Sequence, residues 1–181
     1  ILQLYNNRDE QAIAQTAEKY GRYLEGISDN ILHNASDVEE CVNDTYLRAW
    51  YTIPPKKPDR FQAFLGRITR NLSFDRYRKN HAKKRAGDET AVMLCELEEC
   101  LPAVGNTYTE WETGRIAALI NKFLYAQSAV RRNIFIRRYW YCDAITQIAA
   151  RYAYSESKVK SVLMRTRAAL KAYLEKEGVE L

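Results

Sequence analysis

The chain has 181 residues and a net charge of +5, with 28% charged and 46% hydrophobic residues but only 7 Gly and 4 Pro. That is enough apolar material for one or two small cores, and it excludes a low-complexity or disordered chain. Cys41, Cys95, Cys100 and Cys142 share no C-x-x-C spacing and have only His33 and His81 as co-ligands. A disulfide framework or a structural zinc site is therefore not expected, and a reducing compartment fits better. No apolar run approaches the roughly 18 residues of a membrane span. The opening ILQLYNNRDE lacks the basic and apolar blocks of a signal peptide, and it has no initiator Met, which leaves the native N-terminus open. The expectation is a soluble, cytoplasmic protein without membrane insertion, bound metal or cofactor.

The charge is distributed in blocks. Residues 1–55 carry 4 Lys+Arg against 9 Asp+Glu, and residues 56–85 carry 11 against 2. Residues 86–114 carry none against 7, and residues 115–181 carry 13 against 5. Two basic segments separated by an acidic one point to two anion-binding surfaces, or more blandly to solvated helix faces.

Nearly everything reads as helix, since no run alternates in the β manner between hairpin turns. Helical segments are expected at 8–33, 36–51, 59–84, 107–125, 128–141, 143–151 and 155–176. Three of the four prolines fall in IPPKKPD (53–59), which has to be a loop. Segment 86–106 has weak periodicity and reads as an interdomain linker, with a short helix around Met93–Cys100. The expected fold class is all-α: two small helical domains, 1–85 and 107–181, joined by that acidic linker. Ser36-x-x-Glu39, Asp59-x-x-Gln62 and Thr107-x-x-Glu110 read as capping boxes, and Ser155 as the cap of the last helix, with Glu156 in its first turn.

On helix 36–51, Val38, Val42, Thr45 and Ala49 share the core side. The opposite stripe holds Glu40, Asp44, Leu47 and Tyr51, flanked by Asn43 and Trp50. A leucine and two large aromatics among carboxylates suit a protein interface, unless Leu47 and Trp50 pack under the neighbouring loop. In helix 59–84 the core stripe is Phe61, Phe64, Leu65, Ile68 and Leu72. Across from it lie Arg60, Arg67, Arg70, Asn71, Phe74, Tyr77 and Arg78, a ridge about 27 Å long at ~1.5 Å per residue. Arginine binds phosphate in bidentate fashion, aromatic rings stack on unpaired bases and asparagine reads base edges, so the ridge suits opened DNA. Lys56 and Lys57 add charge beside Trp50 and Tyr51, where a flipped base could be held. The alternative is a solvated basic face with Phe74 and Tyr77 folded back onto a neighbour.

From 143 the pattern is that of a helix-turn-helix. Ile145, Ile148, Ala149 and Tyr152 face inward, Tyr152–Tyr154 forms the turn, and Val159, Val162, Leu163, Thr166 and Leu170 are the inner face of the second helix. Its outer arc carries Ser157, Ser161 and Arg165, flanked by Lys158, Lys160 and Arg167, a layout for major-groove entry with phosphate contacts. A basic helical hairpin is the bland alternative.

These stretches resemble the small two-domain, extracytoplasmic-function type of bacterial sigma factor in the sigma-70 family. DVEECVNDTYLRAW (37–50) is similar to region 2.2, FQAFLGRITRNLSFDRYRK (61–79) to regions 2.3 and 2.4, and IFIRRYWYCDAITQIAARYAYSESKVKSVLMRTRAALKAYL (134–174) to region 4. The resemblance implies a transcription initiation factor that is not an enzyme and has no catalytic residue of its own. Asn43, Asp44, Leu47, Arg48 and Trp50 would then contact the β′ clamp of core RNA polymerase. Lys56, Lys57, Arg60, Arg67, Asn71, Arg76 and Arg78 would capture and open the −10 element. Ser157, Lys158, Lys160, Ser161, Arg165 and Arg167 would read the −35 element of the promoter DNA. The β flap and an anti-sigma factor are further partners the resemblance implies, and the linker would lie on the polymerase surface or in its active-site channel.

The chain departs from the family pattern at several places. Phe64 stands where Trp is usual, and Ala153 where a turn Gly is usual, at about 1 kcal/mol if it is left-handed. Val162 replaces a common Arg, and Asp143 is placed to cap the first helix of the pair. The rival readings are a stand-alone helix-turn-helix repressor or activator, which leaves the 59–79 ridge unexplained, and a nucleic-acid-processing enzyme, which lacks a metal, Walker or paired-carboxylate motif.

Overall fold

The computed structural model describes residues 1–81, 89–98 and 110–179. All elements among them are helices: α1 (Leu2–Asn6), α2 (Gln11–Leu32), α3 (Ala35–Thr52), α4 (Phe61–His81), α5 (Glu89–Glu98), α6 (Glu110–Ala126), α7 (Ala129–Tyr139), α8 (Ile145–Tyr152) and α9 (Glu156–Lys176). The chain divides into two compact units, Ile1–Arg85 and Ala86–Leu181.

In the first unit α2, α3 and α4 pack on one another pairwise, and α1 closes one end against α2. Leu24, Val42, Ala49, Ile53, Phe61 and Leu65 belong to one buried cluster. Helix α1, absent from the sequence-based expectation, is anchored by Tyr5. Its ring meets Phe61 edge-on at 5.6 Å, and its hydroxyl lies 3.0 Å from Thr16 Oγ1. Burial pushes the Tyr5 pKa up, the Thr16 bond pulling the other way.

A layer of hydroxyls runs through the three-helix contact. Thr45 Oγ1 and Thr69 Oγ1 are 3.0 Å apart, and Ser73 Oγ donates to Ser28 Oγ at 2.9 Å. Thr45 and Thr69 also donate to the carbonyls of Cys41 and Leu65 one turn back. Short side chains that bond their own helix in this way let backbones approach without orphaned polar atoms.

Helix starts differ from expectation at the predicted caps Ser36, Asp59 and Asp143; α4 begins at Phe61, its first bond running from the Phe64 N–H to the Arg60 carbonyl at 3.0 Å, so Arg60 and not Asp59 is at the cap position. The cap of α3 is Asn34, whose side chain accepts from the Asp37 N–H at 3.0 Å. Ser36 thus lies inside the helix, because left-handed His33 ends α2 two residues earlier than a Ser36 cap requires. Before α8 the Ala144 N–H donates to Gln147 Oε1 at 2.9 Å, while Asp143 turns away to accept from Arg137 Nε at 2.6 Å. The expected cap at Asp143 is therefore replaced by an ion pair. The Ser155 cap forms as expected, accepting from the Lys158 N–H at 3.3 Å, and Thr107 lies outside the described residues.

In the second unit α9 is the central helix, contacting α6, α7 and α8, and α5 packs on α7. Ile134, Ile148, Leu163, Leu170 and Leu174 are buried, as is Met93 of α5. Ala153, between α8 and α9, is left-handed at φ 51°, ψ 43°, the conformation that made glycine the usual occupant. Its cost of about 1 kcal/mol is offset by the bond from the Tyr154 N–H to the Ala149 carbonyl at 3.0 Å.

Candidate nucleic-acid interface

Within the first unit the expected partner stripe on α3 is split by burial. Leu47 is 49% exposed and Tyr51 75%, with Asn43 and Arg48 exposed and Asp44 partly so. Trp50 instead packs against the core cluster, its ring 6.1 Å from Tyr5. Arg8 lies over it at 5.3 Å and donates Nη1 to the Trp50 carbonyl at 2.6 Å. Arg8 was missed from sequence because 42 residues separate it from that carbonyl and no local pattern links them.

Along α4 and its preceding loop, Lys56, Lys57, Arg60, Arg67, Asn71 and Arg78 are exposed. Phe74 and Tyr77 are not on this ridge. Both are buried, which corrects the expectation of stacking rings there. Arg70 lies over the hidden Phe74 ring at 4.8 Å, so even that cation is held against the core.

Arg76 is also engaged internally. Its Nη1 donates to Asp37 Oδ1 at 3.0 Å and to Glu40 Oε2 at 2.8 Å, and its Nη2 donates to Glu40 Oε1. Asn80 Nδ2 reaches Asp37 Oδ2 at 3.0 Å. This ties α4 to α3. The hydrogen bond to Glu40, chiefly, raises the Arg76 pKa, and the same bond lowers that of Glu40. Between α2 and α3 lies a groove of about 850 Å3 floored by Ala17, Gly21, Val38 and Val42, with Glu25 and Glu39 at its edge.

Within the second unit Ser157, Lys158, Lys160 and Arg165 are exposed on one arc of α9, with Ser161 partly so. Lys158 Nζ sits 3.5 Å from the Tyr154 ring centroid, which holds the cation beside the turn. Arg167 is drawn inward instead. Its Nη1 donates to the Tyr139 hydroxyl at 2.6 Å and lies 3.3 Å from Glu96 Oε1. Tyr139 in turn donates to Glu96 Oε2 at 2.9 Å; burial, then the nearby carboxylate, pushes its pKa up. Arg138, only 2% exposed, donates to the Asp143 carbonyl at 3.1 Å and lies 3.8 Å from Glu96.

Each unit thus carries an exposed cationic arc on a helix braced from behind by ion pairs. Among the described residues no cluster of His, Cys, Asp or Glu could hold a metal, and no helix is long and apolar enough to cross a membrane. Cys41 and Cys142 are buried thiols, and Cys95 is an exposed one.

Exposed cations along α4 beside the exposed Leu47 and Tyr51 of α3 make a surface suited to nucleic acid and to a protein partner. Residues 16–83 match the family model described as Sigma-70 region 2, so the first unit is similar to that region of the sigma-70 family. Members of that family are transcription initiation factors, not enzymes, and bind core RNA polymerase and promoter DNA. No curated protein matches the chain.

Proposed function

We propose that the protein is a two-domain sigma factor of the extracytoplasmic-function type, working in the cytoplasm, whose domains 1–85 and 107–181 engage the −10 and −35 promoter elements. Asn43, Asp44, Leu47 and Arg48 meet the β′ clamp, with the partly buried Trp50 supporting them. Lys56, Lys57, Arg60, Arg67, Asn71 and Arg78 form the −10 surface. Arg76 acts there through α3, by fixing the helix that carries the partner stripe. Helices α8 and α9 serve as the helix-turn-helix, with Ser157, Lys158, Lys160, Ser161 and Arg165 toward the −35 duplex and Arg167 bracing the helix from inside. The β flap and an anti-sigma factor complete the expected partners.

The observation that carries this reading is the presence of an exposed cationic arc on each of two separately cored units. A repressor with one helix-turn-helix has no use for the first. The test is transcription by bacterial core RNA polymerase on a fragmented genomic library, with and without the protein. Discrete new start sites sharing two upstream elements are expected. Tight duplex binding by the protein alone, with no new transcripts, would favour the repressor.

A further inference from the structure

The outer arc of α9 is made of short or cationic side chains with one exception. Ser157, Lys158, Lys160, Ser161 and Arg165 are polar, whereas Met164 is a large apolar side chain left 57% exposed. Among the described residues it is the one large hydrophobic exposed on this helix. It takes no part in the inner face, which Val159, Leu163, Thr166 and Leu170 fill.

Met164 follows Ser157 by seven residues and Ser161 by three, so the three line up along one face within the first three turns. It lies about 13 Å along the helix from the Ser155 cap, within the part of a recognition helix that reaches base edges. The neighbouring serines are short enough for the backbone to come close to a groove floor. A thioether cannot donate to phosphate and has no charge to release counterions. What it gains from an interface is burial against another apolar group, and its three rotatable bonds let it find one. The major groove offers few such groups. Base edges there are donors and acceptors, apart from the C5-methyl of thymine.

We infer that Met164 is a specificity residue of α9 that packs on a thymine C5-methyl in the upstream duplex element. This rests on the helix-turn-helix reading proposed above. The cations flanking it hold the phosphates in register, and Met164 distinguishes what lies between them.

The test uses holoenzyme and the strongest promoter recovered from the genomic-fragment transcription. Thymidines of the upstream element are replaced one at a time by deoxyuridine, which deletes only the methyl. At one position the wild-type protein is expected to lose about three- to fivefold in promoter affinity, the scale of unburying one methyl group. Met164→Ala should lose that much on the thymidine template and be indifferent to the replacement. Met164→Gln, similar in length but polar, should behave the same way. If transcription depends on the upstream element but no methyl matters, or if Met164→Ala stays equally sensitive, the assignment is wrong and the helix-turn-helix reading survives. If transcription ignores the upstream element altogether, both fail.

Discussion

A methyl group on Gly66 would collide with the Tyr23 hydroxyl and lie 3.1 Å from Cζ, so α4 crosses α2 here against the hydroxyl end of that ring. Alanine is favoured over glycine inside a helix by about 1 kcal/mol, yet at 66 it must first displace Tyr23. Gly66→Ala is therefore expected to be neutral or destabilising in the wild type, and stabilising by about 0.5–1 kcal/mol once Tyr23 is alanine. A denaturant double-mutant cycle reads the change of sign. Equal gains in both backgrounds would mean that the ring is no obstacle.

Arg76 and Arg78 are two residues apart but differ in their partners. Arg76 joins α4 to two carboxylates of α3, whereas Arg78 lies 3.7 Å from Asp75 of its own helix. Arg76→Ala should lower stability by about 1 kcal/mol, and Arg78→Ala should stay within about 0.5. Promoter affinity should respond in the opposite order. A larger loss of stability for Arg78→Ala would reverse the assignment.

The same clamp sets a pH dependence. Because Arg76 lowers the Glu40 pKa, the folded state binds this proton less readily than the unfolded chain does. The clamp's contribution is therefore complete above the usual glutamate value of about 4.3, and it is lost as pH falls through the lower folded value. Thermal melts between pH 7 and 3 should show less acid destabilisation in Glu40→Gln than in the wild type. An identical acid limb would show that Glu40 contributes nothing to it.

Leu47 and Trp50 separate association from folding. Leu47→Asp adds a charge to an exposed position and should abolish polymerase binding with a melting temperature close to wild type. Trp50→Ala removes a ring packed on Tyr5 and the core, and should cost about 2–4 kcal/mol. Co-purification with core polymerase alongside thermal melts distinguishes the two. Normal association by a well-folded Leu47→Asp protein would remove this face from the interface.

On α9 the exposed lysines and the bracing arginine should differ in salt response. Lys158→Ala and Lys160→Ala are each expected to lower the log–log salt slope of holoenzyme binding by about 1 and to weaken −35-dependent promoters. Arg167→Ala should mainly lower the melting temperature, since its guanidinium is bonded to Tyr139 and Glu96. A lost phosphate contact for Arg167, seen as a slope change without destabilisation, would return it to the DNA surface.

The division into helices was legible because apolar residues recur at helical spacing and, among the described residues, proline is confined to the connection between α3 and α4. The misplaced ridge on α4 has a definite cause. By residue type the stripe Phe61, Phe64, Leu65, Ile68 continues through Leu72, but the buried side turns instead through Thr69, Ser73 and Tyr77. Thr69 and Ser73 count as polar by type, although they are satisfied inside the core by Thr45 and Ser28. Hydroxyls hid the true face, and Phe74 and Tyr77 were therefore set outside it. The role of Arg76 was hidden for a related reason: its partners lie 36 and 39 residues away on another helix. Composition can flag a cation, but only the packing of α3 on α4 says which cations are already spoken for.

Glu96 also bears on how the chain can be cut. Helix α5 comes from the acidic stretch, yet Met93 and Glu96 are seated in the C-terminal unit. A fragment opening at residue 107 would retain Arg138, Tyr139 and Arg167 and discard the carboxylate all three face. Its weakness in solution would reflect a missing counter-charge rather than the character of the domain. Dissection of the two halves therefore belongs ahead of Glu89.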